Sequence, residues 1–189
     1  MRQLLFQGLF LVLLLAGCSR EAGTPRPRAF PRIEYPQRSY LNYAAEGCPF
    51  TFEYPGYAVI NEKKDHTCWF DLYMPDFKAR LHCSYVPVKD RVEFDDLVRD
   101  AFTIADKINE RANFMEQTPL RNPQAVGGLA LHFTGPAASP FHFFLTDTTR
   151  HFFKASLYFE AEVRPDSLAP IVKFVETDIN HLINSFNWR

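Results

Sequence analysis

Cys18 is the residue whose neighbours most clearly predict a chemical modification. Arg2 is followed by an apolar run from Leu4 to Ala16, and small residues lead directly into the cysteine. The run is too short to span a bilayer stably and is typical of a secretory signal. A small-small-Cys ending is the pattern of a lipobox, in which signal peptidase cuts before the cysteine and the thiol carries the lipid. The sequence therefore predicts a signal peptide over residues 1–17; the alternative is an ordinary signal peptide with an incidental cysteine.

Three further cysteines remain after lipidation. In an oxidising periplasm they allow one disulfide and one free thiol. Cys83 lies on the apolar side of the alternating segment 77–85. That pattern is typical of the inner face of a strand, so we expect a buried thiol there. Cys48 and Cys68 each adjoin the end of a predicted element, and we predict that they form the disulfide.

The remaining acids, bases and nucleophiles form no recognisable catalytic or metal-binding pattern. Six histidines are scattered along the chain: His66, His82, His132, His142, His151 and His181. His142 and His151 could approach each other across a hairpin, but no third metal ligand follows at a recognisable spacing. His82 and Cys83 are no nucleophile pair, because adjacent strand residues point to opposite faces. We predict no catalytic residue, no metal and no cofactor, and we assign no such role to His142, His151 or Asp147.

Composition predicts a folded domain with a large aromatic core. The 189 residues include 19 Phe and 8 Tyr, and the formal net charge is −1. One domain with a substantial core is expected for this length, and aromatic side chains can bury much apolar surface. The near-zero charge argues against nucleic acid as a partner.

A stretch rich in proline and arginine separates the predicted anchor from the domain. Residues 24–28 favour an extended, stiff path because Pro alternates with Arg. The positive charges could contact anionic lipid headgroups; a solvated spacer is the alternative. Aromatic residues such as Tyr35 and Tyr40 indicate that the later part docks on the domain. We predict a lipidated tether over residues 18–45 and a single domain over residues 46–189.

The predicted elements of the domain run in the order strands, helix, strands, helix. Alternating and short apolar segments predict strands over residues 50–54, 58–60, 69–74 and 77–86. Apolar residues at three- and four-residue steps then predict a helix from about residue 94 to residue 108. Its acidic first turn (Glu93, Asp95, Asp96) favours compensation of the helix dipole over a metal site.

The second half of the domain repeats this arrangement. Strands are predicted over residues 114–120, 125–134, 141–147 and 151–160, the last two forming a hairpin. A final helix is predicted to begin at Asp166–Ser167, a good N-cap. Together these elements predict an α+β fold: an α/β/α sandwich with a mainly antiparallel sheet and a helix on each side.

Long ordered motifs make the chain resemble the gliding-motility lipoprotein GldD family. The matching segments are Leu15-Ala16-Gly17-Cys18, Pro25-Arg26-Pro27-Arg28, residues 30–33, residues 48–55 with Cys68-Trp69, residues 143–152, residues 155–159 and residues 165–170. The resemblance covers essentially the whole chain. The element order also resembles the PsbP/Mog1-like fold, an analogy that says little about activity.

The family resemblance implies a non-enzymatic lipoprotein of the cell envelope. Members are required for gliding and linked to the type IX secretion system, so the implied partners are other envelope lipoproteins and subunits of that machinery. Cys18 carries over as the lipid attachment site, and Cys48 and Cys68 carry over as a structural pair. The implied location is a membrane, expected to be the outer membrane on its periplasmic side. The alternative function is a periplasmic lipoprotein that binds a small ligand or glycan, or hydrolyses one.

Overall fold

The computed structural model describes residues 33–160 and 165–189. The predicted signal peptide, Cys18 and the first part of the tether lie outside the described residues. The side chains of the predicted N-cap, Asp166 and Ser167, also lie outside them.

The described ranges contain ten strands and two α-helices. The strands are β1 (Tyr40–Tyr43), β2 (Phe50–Pro55), β3 (Val59–Glu62), β4 (Phe70–Met74), β5 (Ala79–Pro87), β6 (Phe114–Arg121), β7 (Gly127–Thr134), β8 (Phe141–Thr146), β9 (His151–Phe159) and β10 (Asn187–Trp188). The helices are α1 (Arg91–Asn109), between β5 and β6, and α2 (Pro165–Ser185), between β9 and β10. The predicted order of strands, helix, strands and helix is confirmed.

A seven-stranded sheet forms the centre of the domain, in the order β3-β4-β5-β9-β8-β7-β6. Each neighbouring pair is antiparallel. A smaller antiparallel sheet, in the order β1-β2-β10, packs over one face of it. The mainly antiparallel α+β architecture predicted from the sequence is therefore confirmed.

The two faces of the large sheet bury different helices. On what we call the inner face, Phe153 and Leu157 of β9 lie in one core cluster with Val175 and Ile179 of α2. On the outer face, Phe152 packs with Phe144 of β8 and with α1. Because successive strand residues point to opposite faces, the aromatic run in β9 serves both helices. The predicted helix on each side of the sheet is confirmed.

Helix α1 begins with a capped and charged first turn. The Asp90 carboxylate accepts a hydrogen bond from the backbone N–H of Glu93 at 2.9 Å, which satisfies a donor left free at the helix start. Further along the turn, Asp95 pairs with Arg91 and Asp96 pairs with Arg99. The acidic cluster thus forms local ion pairs beside the helix N-terminus.

Two short strands are absent from the sequence prediction, and the strand predicted from residue 77 begins later. β1 lies in the stretch assigned to the tether, and β10 contains two residues after α2. β5 starts at Ala79, because Pro75–Phe77 forms a 3₁₀ turn and Lys78 adopts the left-handed conformation, with φ at 47°. Strands of two to four residues carry too little alternation to be recognised from sequence alone.

Candidate functional site

The domain cysteines occupy two separate environments. Cys48 and Cys68 are in disulfide contact with their Cα atoms 5.5 Å apart, within the usual range for a bridge. Cys83 is free and buried on the inner face of β5, and burial raises the pKa of its thiol well above the ordinary value. This geometry accommodates the predicted pairing, which stays a prediction for the mature protein.

Replacing both Cys48 and Cys68 by serine is expected to lower the free energy of unfolding by about 3 kcal/mol, because the bridge closes a loop that restricts the unfolded chain. Denaturant titration of the purified chain, with and without reductant, measures the difference. Cys83→Ala is the matched control and should keep the wild-type sensitivity to reductant. A bridge containing Cys83 in a non-reducing peptide map would contradict both the pairing and the assigned strand face.

The structure does not bring His142 and His151 together. His142 is in register with Ser156 and hydrogen-bonds its hydroxyl, whereas the Nδ1 of His151 lies 2.8 Å from the hydroxyl of Tyr85. Asp147 accepts hydrogen bonds from three backbone N–H groups of the hairpin, on Thr149, Arg150 and His151. His142, His151 and Asp147 each thus have a structural contact within the domain.

Burial raises the pKa of the Asp147 carboxyl, and the backbone N–H groups of the hairpin outweigh that effect, so its pKa lies below the ordinary value. Among residues 33–160 and 165–189, no group of three or more His, Cys, Asp or Glu side chains could hold a metal ion.

The chain segment that enters the domain, residues 33–43, is held on α2 by a buried carboxylate. Asp178 is only 1% exposed. It accepts hydrogen bonds from Arg38 Nε at 2.8 Å, from the Tyr40 hydroxyl at 2.8 Å and from the Tyr57 hydroxyl. A buried charge is stable only when it is paired and hydrogen-bonded. We call residues 33–43 the entry segment and this arrangement the Asp178 contact.

Aromatic packing extends the Asp178 contact along α2. Phe174, one turn before Asp178, packs against the ring of Tyr35 and beneath the guanidinium of Arg38. His181, on the next turn, stacks on Tyr40 with ring centroids 3.6 Å apart. Residues three and four apart share one face of a helix, so α2 presents a continuous strip to the entry segment.

The Asp178 contact also perturbs the tyrosines that donate to it. Burial, and then the hydrogen bond to Asp178, raises the pKa of Tyr40 to about 12. The same two causes raise the pKa of Tyr57 further. Both shifts favour the protonated phenols, which donate their hydrogen bonds to the carboxylate.

A cleft lies on the other side of α2, against β6, β7 and the loop that follows β7. Its volume is about 670 Å³, which lies in the range of small-molecule sites. The walls are mainly apolar and include Val172 and Phe159. At the polar end, His132 Nδ1 lies 3.7 Å from the carboxylate of Glu176, and Glu116 lies opposite His132 on β6.

Residues 20–188 match the family described as Gliding motility lipoprotein GldD. The chain belongs to this family. Membership makes it a gliding motility lipoprotein, anchored to a membrane of the cell envelope. Within the described ranges, neither helix is long and apolar enough to cross a bilayer.

Other comparisons give less information about this GldD family member. Comparison with curated proteins finds no match. Among solved structures, the chain is similar to the solution structure of cyanobacterial PsbP (CyanoP) from Synechocystis sp. PCC 6803, with 12% identity and a TM-score of 0.48. The match covers 82% of this chain and 95% of that chain.

A polar row crosses the outer face of the large sheet in this GldD family member. Asp71, His82, Ser156 and His142 are in register on β4, β5, β9 and β8. Asp71 Oδ1 lies 2.6 Å from His82 Nδ1, which is the geometry of a carboxylate that orients an imidazole. The Ser156 hydroxyl, however, hydrogen-bonds His142. Ser156 thus contacts the imidazole of His142, whose Nε2 has no partner among the described atoms, whereas Asp71 contacts the imidazole of His82.

The sequence does not predict the role of either carboxylate at the centre of these clusters, Asp71 or Asp178. A charged residue among apolar neighbours in β4 and α2 is the one local signal that distinguishes them. Their partners lie on other elements, and no spacing rule connects them.

Proposed function

We propose that this lipoprotein is a non-enzymatic component of the gliding and type IX secretion machinery, and that it supports the assembly or stability of that machinery. Its proposed location is the periplasmic side of the outer membrane, attached through a lipid on Cys18. The proposed partners are other envelope lipoproteins and subunits of the same machinery.

The observation that carries this proposal is the Asp178 contact. A lipoprotein that acts by holding a partner in place needs its folded domain joined firmly to the chain that leads from the anchor. Asp178, with Arg38 and Tyr40, supplies such a junction within the described residues. An enzyme domain that moves freely at the end of a flexible tether would not need such a junction.

The environment of the hairpin residues gives further support. His142 is buried, His151 contacts Tyr85, and Asp147 holds the backbone of the turn. Each contact is of the kind that stabilises a fold. General acid–base catalysis would instead require such groups within reach of a common substrate atom.

We expect Cys18→Ala and Asp178→Asn to separate anchoring from positioning when each is expressed in a gliding host that lacks the native gene. Cys18→Ala should lose fatty-acid labelling, membrane sedimentation and colony spreading together. Asp178→Asn should keep the label and the sedimentation, but reduce spreading and secretion, because the neutral amide binds Arg38 and Tyr40 less strongly. Asp76→Asn, in the exposed part of the turn after β4, is the matched control.

Equal fatty-acid labelling of Cys18→Ala and wild type would refute the anchor. Full spreading and secretion of Asp178→Asn, at wild-type abundance and with a demonstrably loosened entry segment, would refute the positioning role. Limited trypsin digestion at Arg38 measures that loosening directly.

The non-enzymatic part of the proposal is tested by conservative variants of the hairpin. His151→Gln and Asp147→Asn should support normal spreading and secretion whenever the protein is present at wild-type abundance. If either variant abolished function at normal abundance and with a normal fold, a catalytic or ligand site near the hairpin would replace the scaffold proposal.

The cleft beside α2 favours a second candidate function, the binding of a small apolar ligand. Ala138→Trp places a large side chain in the cleft from an exposed position, and Ala44→Trp is the exposed control outside it. If a ligand in the cleft is essential, Ala138→Trp should lose spreading and the binding of a naphthylamine dye that fluoresces in apolar surroundings. Loss of dye binding with normal spreading would exclude this candidate.

A further inference from the structure

The outer face of the large sheet is divided into two unlike halves. On β7, β8 and β9 it is apolar and buried by α1, as at Leu131 and Phe152. Towards β5 and β4 the same face becomes polar, and the side chains of Arg80 and His82 stay partly exposed. A sheet face that a helix covers only in part leaves the remainder available for another molecule.

The charge of the exposed half is positive at its surface. Asp71 lies beneath three partners: Lys63, Arg80 Nη1 at 3.2 Å and His82 at 2.6 Å. Its side chain is 4% exposed, whereas that of His82 is 46% exposed and that of Lys63 is 45% exposed. An approaching molecule therefore meets Lys63, Arg80 and the ring of His82 and is shielded from the carboxylate. Glu160 is the acidic neighbour at the rim, paired with Arg80.

Tyrosines frame Arg80 and His82. The guanidinium of Arg80 lies 4.6 Å from the ring centre of Tyr73, and the ring of His82 lies edge-on to that of Tyr158 at 5.4 Å. Tyrosine and arginine are enriched in the energetic centres of protein–protein interfaces. Flat sheets carrying such residues suit a protein surface better than a small molecule, which needs a concave site.

Lys154 of β9 lies on the same face, in register with Ser84 of β5. We propose that this basic patch, formed by Lys63, Tyr73, Arg80, His82, Lys154 and Tyr158, binds an acidic segment of a partner protein. The proposal rests on the proposed function, because it supplies the partner-binding surface that an assembly component needs. Carboxylates of the partner bind the exposed cations, and its side chains pack on the two tyrosines. Complementary charge accelerates association and selects the partner.

The test uses the purified full chain in detergent and a fluorescent poly-glutamate peptide, with fluorescence anisotropy as the readout. Wild type should bind the peptide, and raising the salt concentration about tenfold should weaken binding by about tenfold or more. The variant Lys63→Gln/Lys154→Gln should lose at least half an order of magnitude in affinity. Arg80 and His82 still contact Asp71 in this variant, which protects the fold. Lys107→Gln/Lys89→Gln, on and beside α1, is the matched control and should bind like wild type.

Equal loss in the patch and control variants would overturn the proposal. So would binding of the wild type to vesicles with anionic headgroups but not to the peptide, since that result assigns the patch to a membrane. If wild type self-associates and the patch variant does not, the patch would be assigned to a second copy of the chain.

In cells, a photo-crosslinker at Tyr158 should capture a net acidic peptide, and capture of a basic or neutral one would contradict the proposal. None of these readouts depends on gliding, so their failure is separable from failure of the proposed function.

Discussion

Replacing Phe153 by alanine is expected to lower the free energy of unfolding by about 3–5 kcal/mol. Phe153 is fully buried. Its ring contacts the rings of Phe50, Phe52, Phe70, Phe143 and Phe186. The cavity left by the missing ring would remove contacts with five aromatic neighbours at once, and aromatic pairs add to the stability that burial alone gives.

Phe114→Ala is the matched control, because Phe114 is 60% exposed at the start of β6. Its truncation should change the free energy of unfolding by no more than about 0.5 kcal/mol. Denaturant titration of both variants and of wild type measures the contrast. Similar losses for Phe153→Ala and Phe114→Ala would show that the aromatic cluster does not form the centre of the core.

The residues around Phe153 also show which part of the fold can be predicted from local sequence. Phe152 and Phe153 differ by one position, and alternation alone assigns them to opposite faces of the sheet. The structure then places Phe153 against α2 and Phe152 against α1. Period-two and period-3.6 patterns determine which face an element buries, so the two-sided sandwich could be predicted.

The Asp178 contact could not be predicted in this way. The sequence indicates that the later part of the tether docks on the domain, but it does not predict that Arg38 and Tyr40 reach Asp178 across most of the chain. Nothing near Asp178 in α2 indicates which residues its carboxylate pairs with. Such a contact depends on tertiary arrangement, and a single sequence gives no register between the first strand and the last helix.

The polar row on the outer face also depends on tertiary arrangement, which the sequence does not specify. The sequence places Asp71 and His82 on neighbouring strands, but their contact depends on the pairing register of β4 with β5. A shift of one residue would turn His82 to the inner face and Cys83 to the outer. Burial alone raises the pKa of Asp71, and the hydrogen bonds and charges of Lys63 and His82 hold it below the ordinary value instead.

The second large effect is a loss of stability in mild acid, which we expect because His142 is buried. Its side chain is 1% exposed, its Nδ1 hydrogen-bonds Ser156, and its Nε2 is buried with no partner among the described atoms. Burial, with a smaller contribution from the charge of Lys154, lowers the pKa of His142 from 6.5 to about 4. The folded protein therefore resists protonation that the unfolded chain accepts.

The direction in which the stability changes with pH follows from proton binding. Between pH 6.5 and about 4 the unfolded state holds a proton on His142 that the folded state lacks, so the free energy of unfolding falls as pH falls. At one pKa unit per 1.36 kcal/mol, the loss from neutral pH to about pH 4.5 is about 2–3 kcal/mol. Asp71 and Asp147, whose folded pKa values are lowered from 3.8, lose their contributions only at more acidic pH.

His142→Asn isolates this contribution. The amide can still hydrogen-bond Ser156 but does not titrate, so the variant should show a flatter stability profile between neutral pH and about pH 4.5, by about 2–3 kcal/mol. His66→Asn, at an exposed loop position, should keep the wild-type slope. Denaturant titrations at several pH values compare the three proteins, and subtracting each variant from wild type removes the contributions of the other histidines. Parallel profiles for His142→Asn and wild type would show that His142 titrates in the folded state as it does in the unfolded chain, and that its Nε2 is open to water.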